Sequence, residues 1–473
     1  MINRKIILTI FLLVSTLFSG DSNHSAHLSA TDFNLFWLIP FLGILFSIAI
    51  IPLINSSFWH HHYGKVSLFW GLLFIIFFSY HFYDFTLFYI LEVYLREFLP
   101  FIMLLLALFT VSGGILISGD LNGSPKLNSV LLIIGTGLAS IMGTTGASML
   151  LIRPLIRANS WRKNKVHLVV FFIFLVSNIG GSLTPIGDPP LFLGFLKGVD
   201  FSWTLIHMFK PMLFVSSILI VVFYFVDRYF YNKEKTPKDV SSDFSIRIDG
   251  KINFLFILII ICAVIISGLT NLQYSVFSFH GTTMLTMGMF IQLIVLFLVT
   301  IASLKVTPNH CRSGNGFTWE PIKEVTKLFA TIFITMIPAI EMLKGVTKEI
   351  GPLSWIKNII IDSDGLNIDI MYFWLTGILS SFLDNAPTYV VFFTTALGDN
   401  TVEWLMVSGS TLLAISCGAV FMGAMTYIGN APNFMVKSIS EENDIKMPSF
   451  FGFMIWSIII LLPIFVITSF IFF

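Results

Sequence analysis

Two stretches decide how this chain is read. They are Gly181-Ser-Leu-Thr-Pro-Ile-Gly-Asp-Pro-Pro-Leu-Phe192 and, about half a chain later, Gly423-Ala-Met-Thr-Tyr-Ile-Gly-Asn-Ala-Pro-Asn-Phe434. Six of the twelve positions are identical, and Ser/Ala, Leu/Met and Asp/Asn are near neighbours. Each copy sits inside a strongly apolar run, yet Gly, Pro, Thr and Asp suit lipid-facing helix poorly. Unwound backbone at membrane depth is tolerated only where it is buried in protein or lines a polar cavity. A matched pair of such breaks, one per half, marks the binding site of a secondary transporter.

The composition agrees. The chain is 56% hydrophobic and 11% charged, with 51 Phe and a mean hydropathy of +0.88. A soluble domain carries roughly 25% charged residues, so a water-facing surface cannot be built from this supply. A net charge of +1 gives no basis for a nucleic-acid partner. Cys262, Cys311 and Cys417 are too few and too scattered for a disulfide framework or a metal site. Basic Met1–Lys5, apolar Ile6–Phe18 and polar Ser19–His27 have the layout of a secretory signal, or form a first transmembrane segment.

A crossing needs about 20 mostly apolar residues. That rule predicts spans near 34–55, 66–82, 98–118, 202–226, 252–270, 281–304, 324–345 and 448–472. Residues 83–97, with apolar side chains at helical spacing among charges, read as an interfacial amphipathic helix, and 346–363 as its counterpart. Broken helices are expected at about 166–196 and 405–438. Two further runs, about 127–157 and 368–397, carry polar tips at Gly143-Thr-Thr-Gly-Ala-Ser148 and Leu383-Asp-Asn-Ala-Pro-Thr388; both read as re-entrant hairpins. The fold class is therefore an all-α polytopic membrane protein. It is an inverted-repeat secondary transporter with two hairpins and two broken helices. The organisation is a signal-like or first transmembrane stretch (1–33), a first half (34–226), a cytoplasmic linker (227–251) and a second half (252–473). Basic residues cluster at Arg153–Lys165 and across the linker, which places both in the cytoplasm. The first hairpin then enters from the cytoplasm and the second from outside. The tips align from Thr145 to Asn385, an offset of 240, and the twin phrases at 242.

The site candidates follow from the breaks. Asp188 lies between the turn Pro185-Ile-Gly187 and Pro189-Pro190, where helical hydrogen bonding is interrupted on both sides. A carboxylate near the bilayer centre costs about 2.5–3.5 kcal/mol on insertion scales. With the Thr184 hydroxyl and the Asn178 amide it makes an oxygen set suited to a small hard cation; capping of the following half-helix is the structural alternative. Asp384 and Asn385 form a second candidate at the other tip, with Thr388 beside them; there the structural alternative is an Asx-type turn. Thr145 and Ser148 in the first hairpin, and Thr426 and Asn430 in the second break, offer oxygens without charge, and equally read as small polar residues easing helix packing. Na⁺ is expected at Asp188, Asn178, Asp384 and Asn385. Glu341 is either a proton relay or an interfacial side chain, and His60-His-His62 reads as inner-surface rather than metal-binding. No nucleotide-binding loop is present, so transport is expected to be secondary, driven by an ion gradient, and no cofactor is expected.

Ser177-Asn-Ile-Gly-Gly-Ser-Leu-Thr-Pro-Ile-Gly-Asp-Pro-Pro190, Leu383-Asp-Asn-Ala-Pro-Thr-Tyr389 and Tyr427-Ile-Gly-Asn-Ala-Pro-Asn433 resemble segments of NhaD-type sodium/proton antiporters, in the ion transporter superfamily. So do Gly143-Thr-Thr-Gly-Ala-Ser-Met-Leu-Leu-Ile-Arg-Pro154 and Ile332-Phe-Ile-Thr-Met-Ile-Pro338. The resemblance spans roughly residues 98–438. It implies Na⁺ or Li⁺ export in exchange for H⁺ across the cell's inner membrane, with Asp188, Asn178, Thr184, Asp384 and Asn385 as the matching polar positions. Superfamily analogy alone implies a homodimer. One departure is that family members can carry an Asp-Asn pair where this chain has Thr144-Thr145. The alternative on the same scaffold is a Na⁺-coupled carboxylate (citrate or dicarboxylate) or other anion transporter, since half-helix N-termini suit anions. An enzyme, in the form of an intramembrane protease using Asp188 and Asp384 as a dyad, is not expected, because both lie at Gly/Pro breaks inside a repeat.

Overall fold

The computed structural model describes residues 28–119, 122–234, 247–363 and 365–473. The signal-like stretch up to residue 27 and linker residues 235–246 lie outside the described residues. The chain order is α1 (Ile39–Ile54), α2 (Ser56–His81), α3 (Tyr83–Val93), α4 (Leu99–Ser112), β1 (Leu116–Ser118), α5 (Pro125–Met142) and α6 (Thr144–Ala158). Then come α7 (Val166–Leu175), α8 (Pro189–Leu196), α9 (Phe201–Tyr231), β2 (Arg247–Asp249), α10 (Ile252–Ser267), β3 (Ser275–Phe279) and β4 (Thr282–Thr286). The second half continues with α11 (Met287–Val306), α12 (Asn309–Gly314), α13 (Glu320–Thr335), α14 (Ile337–Lys344), α15 (Asp369–Phe382) and α16 (Asn385–Leu397). It ends with α17 (Val402–Ser408), α18 (Ser410–Met422), α19 (Ala431–Glu442) and α20 (Phe450–Phe472). Among the described residues eight helices are long and apolar enough to cross a bilayer, or ten if each of two sharply bent pairs is one span. Among the described residues the paired strands are β1 with β2 and β3 with β4, both antiparallel, and one isolated bridge joins Ile361 to Asn367. This is an all-α polytopic membrane protein.

The run at 127–157 turns back on itself. Gly143 takes φ +80° between α5 and α6, a left-handed backbone that favours glycine. At the far ends of the two helices the Gly123 amide donates to the Ala158 carbonyl (2.8 Å), and Asn128 and Asn159 exchange amide bonds at 3.0 and 2.8 Å. Both ends therefore lie on one face. The run at 368–397 does the same: α15 and α16 meet at Leu383-Asp384, and Tyr372 near the start of one packs against Phe392 near the end of the other.

Helix α9 shows that the two hairpins enter from opposite faces. Its 31 residues span about 46 Å at 1.5 Å per residue. Near its start Trp203 donates to the Met406 carbonyl beside the second hairpin's base (3.1 Å). Near its end Asp227 accepts from Asn128 at the first hairpin's base (2.9 Å). There Asp227 also meets Arg162 (2.7 Å) and His167 (2.8 Å), with all three side chains at most 2% exposed. A buried charge of this kind is stable only when paired and hydrogen-bonded.

Three sequence readings change. Residues 83–97 are not a separate surface helix: α3 passes through a π-helical turn (Tyr94–Phe98) straight into α4, making one 30-residue apolar run to Ser112. The second broken helix begins later than residue 405, because Gly409 at φ +70° bends the chain by 89° between α17 and α18. The span at 324–345 is likewise bent by 42° at Met336, where Pro338 removes a backbone donor.

Candidate functional site

The two breaks are built alike. In the first, α7 gives way to a short 3₁₀ turn (Ile179–Leu183) before α8; in the second, α18 passes through Gly423–Met425 before α19. Unwinding frees carbonyls that water cannot reach, and the neighbouring hairpin helix serves them. Ser140 donates to the Gly180 carbonyl (2.5 Å) and accepts from the Leu183 amide (3.0 Å), while the Thr184 hydroxyl donates back to the Ser140 carbonyl. In the second half Ser381 donates to the Met422 carbonyl (3.0 Å), and the Thr426 hydroxyl donates to the Ser381 carbonyl. The glycines close each loop. A Cβ on Gly187 would stand 2.1 Å from the Gly181 carbonyl oxygen, and one on Gly429 would stand 2.6 Å from that of Gly423.

Four half-helices then point their N-termini at one place. The N-cap residues of α6, α8, α16 and α19 are Gly143, Asp188, Asp384 and Asn430. All four line a single cavity between the hairpin and break elements on one side and α4 and α13 on the other. The water-accessible space is about 80 Å³, room for several water molecules. Its remaining walls are largely apolar, including Phe101, Leu108, Ile322 and Phe329. Toward the first hairpin's base it is bounded by the buried cluster Phe109, Met149 and Ile322. Toward the other face Lys197, just beyond α8, pairs with Glu97 of the π-helical turn at 2.8 Å.

Asp188 is the hub. Its Oδ1 accepts from the Thr144 hydroxyl (2.9 Å) and the Asn430 amide (3.0 Å), and its Oδ2 accepts from the Asn385 amide (2.6 Å). Donors thus arrive from the first hairpin, the second hairpin and the second break. The carboxylate is 1% exposed, and hydrogen bonds to an ionised acceptor are about twice as strong as neutral ones. The other face of Asn385 is unsatisfied: its Oδ1 is buried without a partner. Asp384 is half-buried on the cavity wall, and its Oδ1 accepts from the Ala386 amide (3.0 Å). It therefore makes the Asx-type turn at the start of α16 while lining the cavity.

The other candidates separate by position. Asn178 is buried, and its Oδ1 accepts weakly from Asn430 (3.3 Å). Thr145 is half-buried on the cavity wall, but it is Thr144 that reaches Asp188. Ser148 pairs with Ser177 (2.9 Å) and does not line the cavity. Thr184 and Thr426 stitch the breaks to the hairpins, and Thr388 donates to the Asp384 carbonyl within its own helix (2.9 Å). The hairpin register also shifts by one residue. Because α6 begins at Thr144 and α16 at Asn385, the counterparts of Asp384-Asn385 are Gly143-Thr144 rather than Thr144-Thr145. Thr144 and Asn385 thus occupy equivalent positions, and both donate to Asp188. Glu341 is buried and pairs with Lys344 at 2.7 Å. Among the described residues no three or more His, Cys, Asp or Glu gather as a metal centre, His60-His-His62 included.

One contributor escaped the sequence reading. Asn433 is fully buried and accepts from the Asn178 amide at 2.7 Å. Its signal was available in the twin phrase, where the matching position in the first copy is the apolar Leu191.

Membrane-spanning helices, paired breaks and a polar junction at their centre define a multi-pass membrane transporter. Residues 30–473 match the family model described as "Putative citrate transport", and the chain belongs to that family. It is also similar to two uncharacterized transporters of Mycobacterium tuberculosis, from strains CDC 1551 and H37Rv, each 33% identical over 102 residues. That similarity covers 21% of this chain and 24% of each relative, so the chain matches about a quarter of their length.

Proposed function

We propose that this transporter exchanges an alkali cation, Na⁺ or Li⁺, for protons across the cell's inner membrane, with Asp188 and Asp384 as the exchanging carboxylates. One observation carries the reading: among the described residues the only charged side chains lining the cavity are these two aspartates, with no Lys or Arg among them. A multivalent anion would meet two carboxylates and no cationic partner. Asp188 and the Thr144 hydroxyl bring oxygens to one point, and turning the Asn385 amide, whose Oδ1 has no partner, would add its oxygen for a cation in place of an N–H group. The NhaD-like motifs support the same reading.

A second reading, uptake of citrate or a dicarboxylate together with cations, is favoured by the family description. The four half-helix N-termini at the cavity also favour it, since each carries partial positive charge. Bound cations would have to neutralise Asp188 and Asp384 first. Proton flux in everted vesicles, recorded on adding Na⁺, Li⁺, K⁺ or citrate across a range of pH, separates the two. Antiport requires alkali-cation-driven proton movement that Asp188→Asn and Asp384→Asn both abolish. Uptake of radiolabelled citrate with no cation-driven proton signal would replace it with the second reading.

A further inference from the structure

The geometry points to Asn433 as the positioning residue that sets the orientation of the Asn178 and Asn430 amides, and through them holds the Asp188 carboxylate. This inference rests on the reading of Asp188 as a cation ligand. The Asn433 amide has no freedom. Its Nδ2 donates to two carbonyls of the second break, Gly423 (2.8 Å) and Thr426 (2.9 Å), so its Oδ1 must face the other way. There it accepts from Asn178 Nδ2 at 2.7 Å. Asn178 uses its second hydrogen on the Ile173 carbonyl (2.8 Å), which commits its nitrogen fully and turns its Oδ1 toward Asn430. Asn430 Nδ2 is then held among three acceptors: the Ser177 carbonyl (3.2 Å), Asn178 Oδ1 (3.3 Å) and Asp188 Oδ1 (3.0 Å).

An isolated amide can turn over and exchange its oxygen and nitrogen. This one cannot, because backbone carbonyls of the second half decide the first amide and each amide decides the next. The relay crosses from the second half to the first at Asn433–Asn178, and back at Asn178–Asn430. It ends on the aspartate of the first half. Asn433 and Asn178 do not line the cavity, so neither is placed to touch a substrate from it. Their effect on the site passes through Asn430. The first copy of the phrase has Leu191 at the matching position, and its break closes without this amide. An apolar side chain there is compatible with the turn.

The test is a double-mutant cycle on cation-driven proton flux in everted vesicles, with rates normalised to transporter in the membrane. The variants are Asn433→Leu, Asn178→Ala and the two together. Losing one hydrogen bond of the relay is expected to raise the KM for Na⁺ about tenfold in Asn433→Leu, with the maximal rate within about twofold of wild type. In the Asn178→Ala background, adding Asn433→Leu is expected to change KM by less than about twofold, because the path is already cut. A merely structural role would lower the amount of transporter or its maximal rate and leave KM unmoved. Asn433→Ser, which keeps one donor, carries the same comparison if the leucine variant does not accumulate. An unchanged KM in active single variants, or KM effects that simply multiply in the double variant, would overturn the relay while leaving the antiport reading intact. A wild-type protein showing no alkali-cation-driven flux would remove that reading and the relay together.

Discussion

Replacing Asp188 by Asn separates the fold of the junction from its function. The variant keeps the shape of the side chain and removes its charge. In the wild type Oδ1 takes hydrogen bonds from Thr144 and Asn430, and Oδ2 takes one from Asn385. The new amide oxygen can keep the first two, but the new amide nitrogen then stands against Asn385 Nδ2, donor on donor. The unpartnered Asn385 Oδ1 resolves this, because a half-turn of that amide makes an N–H···O bond in place of the clash. Three hydrogen bonds survive as neutral ones. Each falls from about 1.5–3 to about 0.5–1.5 kcal/mol, a loss of about 3–4 kcal/mol in all. Against this, a buried carboxylate no longer has to be desolvated, which returns several kcal/mol. The two effects nearly cancel, so stability should stay within about 2 kcal/mol of wild type. Transport should not survive. A neutral amide offers a cation no charge, and exchange should fall by at least about 100-fold, the equivalent of about 2.7 kcal/mol. Thermal unfolding of the purified protein in detergent and proton flux in vesicles report the two quantities separately. Wild-type exchange would refute Asp188 as a ligand, and a collapse in stability would refute the amide-turn accounting.

Asp384→Asn should also lose exchange while α16 keeps its cap, since an amide oxygen accepts from the Ala386 N–H as a carboxylate does; helix content by circular dichroism and vesicle flux check the two halves of that statement. Gly187→Ala and Gly429→Ala push a methyl group against backbone 2.1 and 2.6 Å away. Each should cost about 1–3 kcal/mol or more and lower exchange about 100-fold by displacing the adjacent N-cap, and variants with wild-type melting and flux would refute the close approach. Arg162→Ala leaves Asp227 buried beside His167 without its arginine and should destabilise the protein by about 3–5 kcal/mol. Adding Asp227→Asn should recover part of that loss in the same unfolding assay.

Much of the architecture was legible because a membrane leaves few alternatives. Gly, Pro, Thr and Asp inside apolar runs mark breaks, since lipid cannot satisfy free backbone groups. Those residues located both broken helices and both hairpin tips. Periodicity misled at residues 83–97, where charges at helical spacing suggest a surface helix. The chain instead continues through a π-helical turn into the next span, and no local signal distinguishes the two. Thr144 and Thr145 are identical in type, so only the helix starts reveal which of them matches Asn385. Thr184, Thr426 and Thr388 looked like ligands because a hydroxyl in a break is chemically suited to either task. In the structure they donate to the Ser140, Ser381 and Asp384 carbonyls and do not line the cavity.

By itself the sequence determined that the chain lives in a membrane, that its halves repeat, and that each half carries one aspartate in a different one of its two matched elements. Composition, hydropathy and the twin phrase carry those conclusions, because each is a property of order along the chain. Only the tertiary structure decided which side chains meet. Asp188 receives donors 44, 197 and 242 residues distant in sequence, and no spacing rule reaches so far. The pairing of halves converts a matched shape with unmatched charge into one junction. Four helix N-caps converge there, two of them aspartates, because the breaks that free backbone groups from regular helix must be buried against one another.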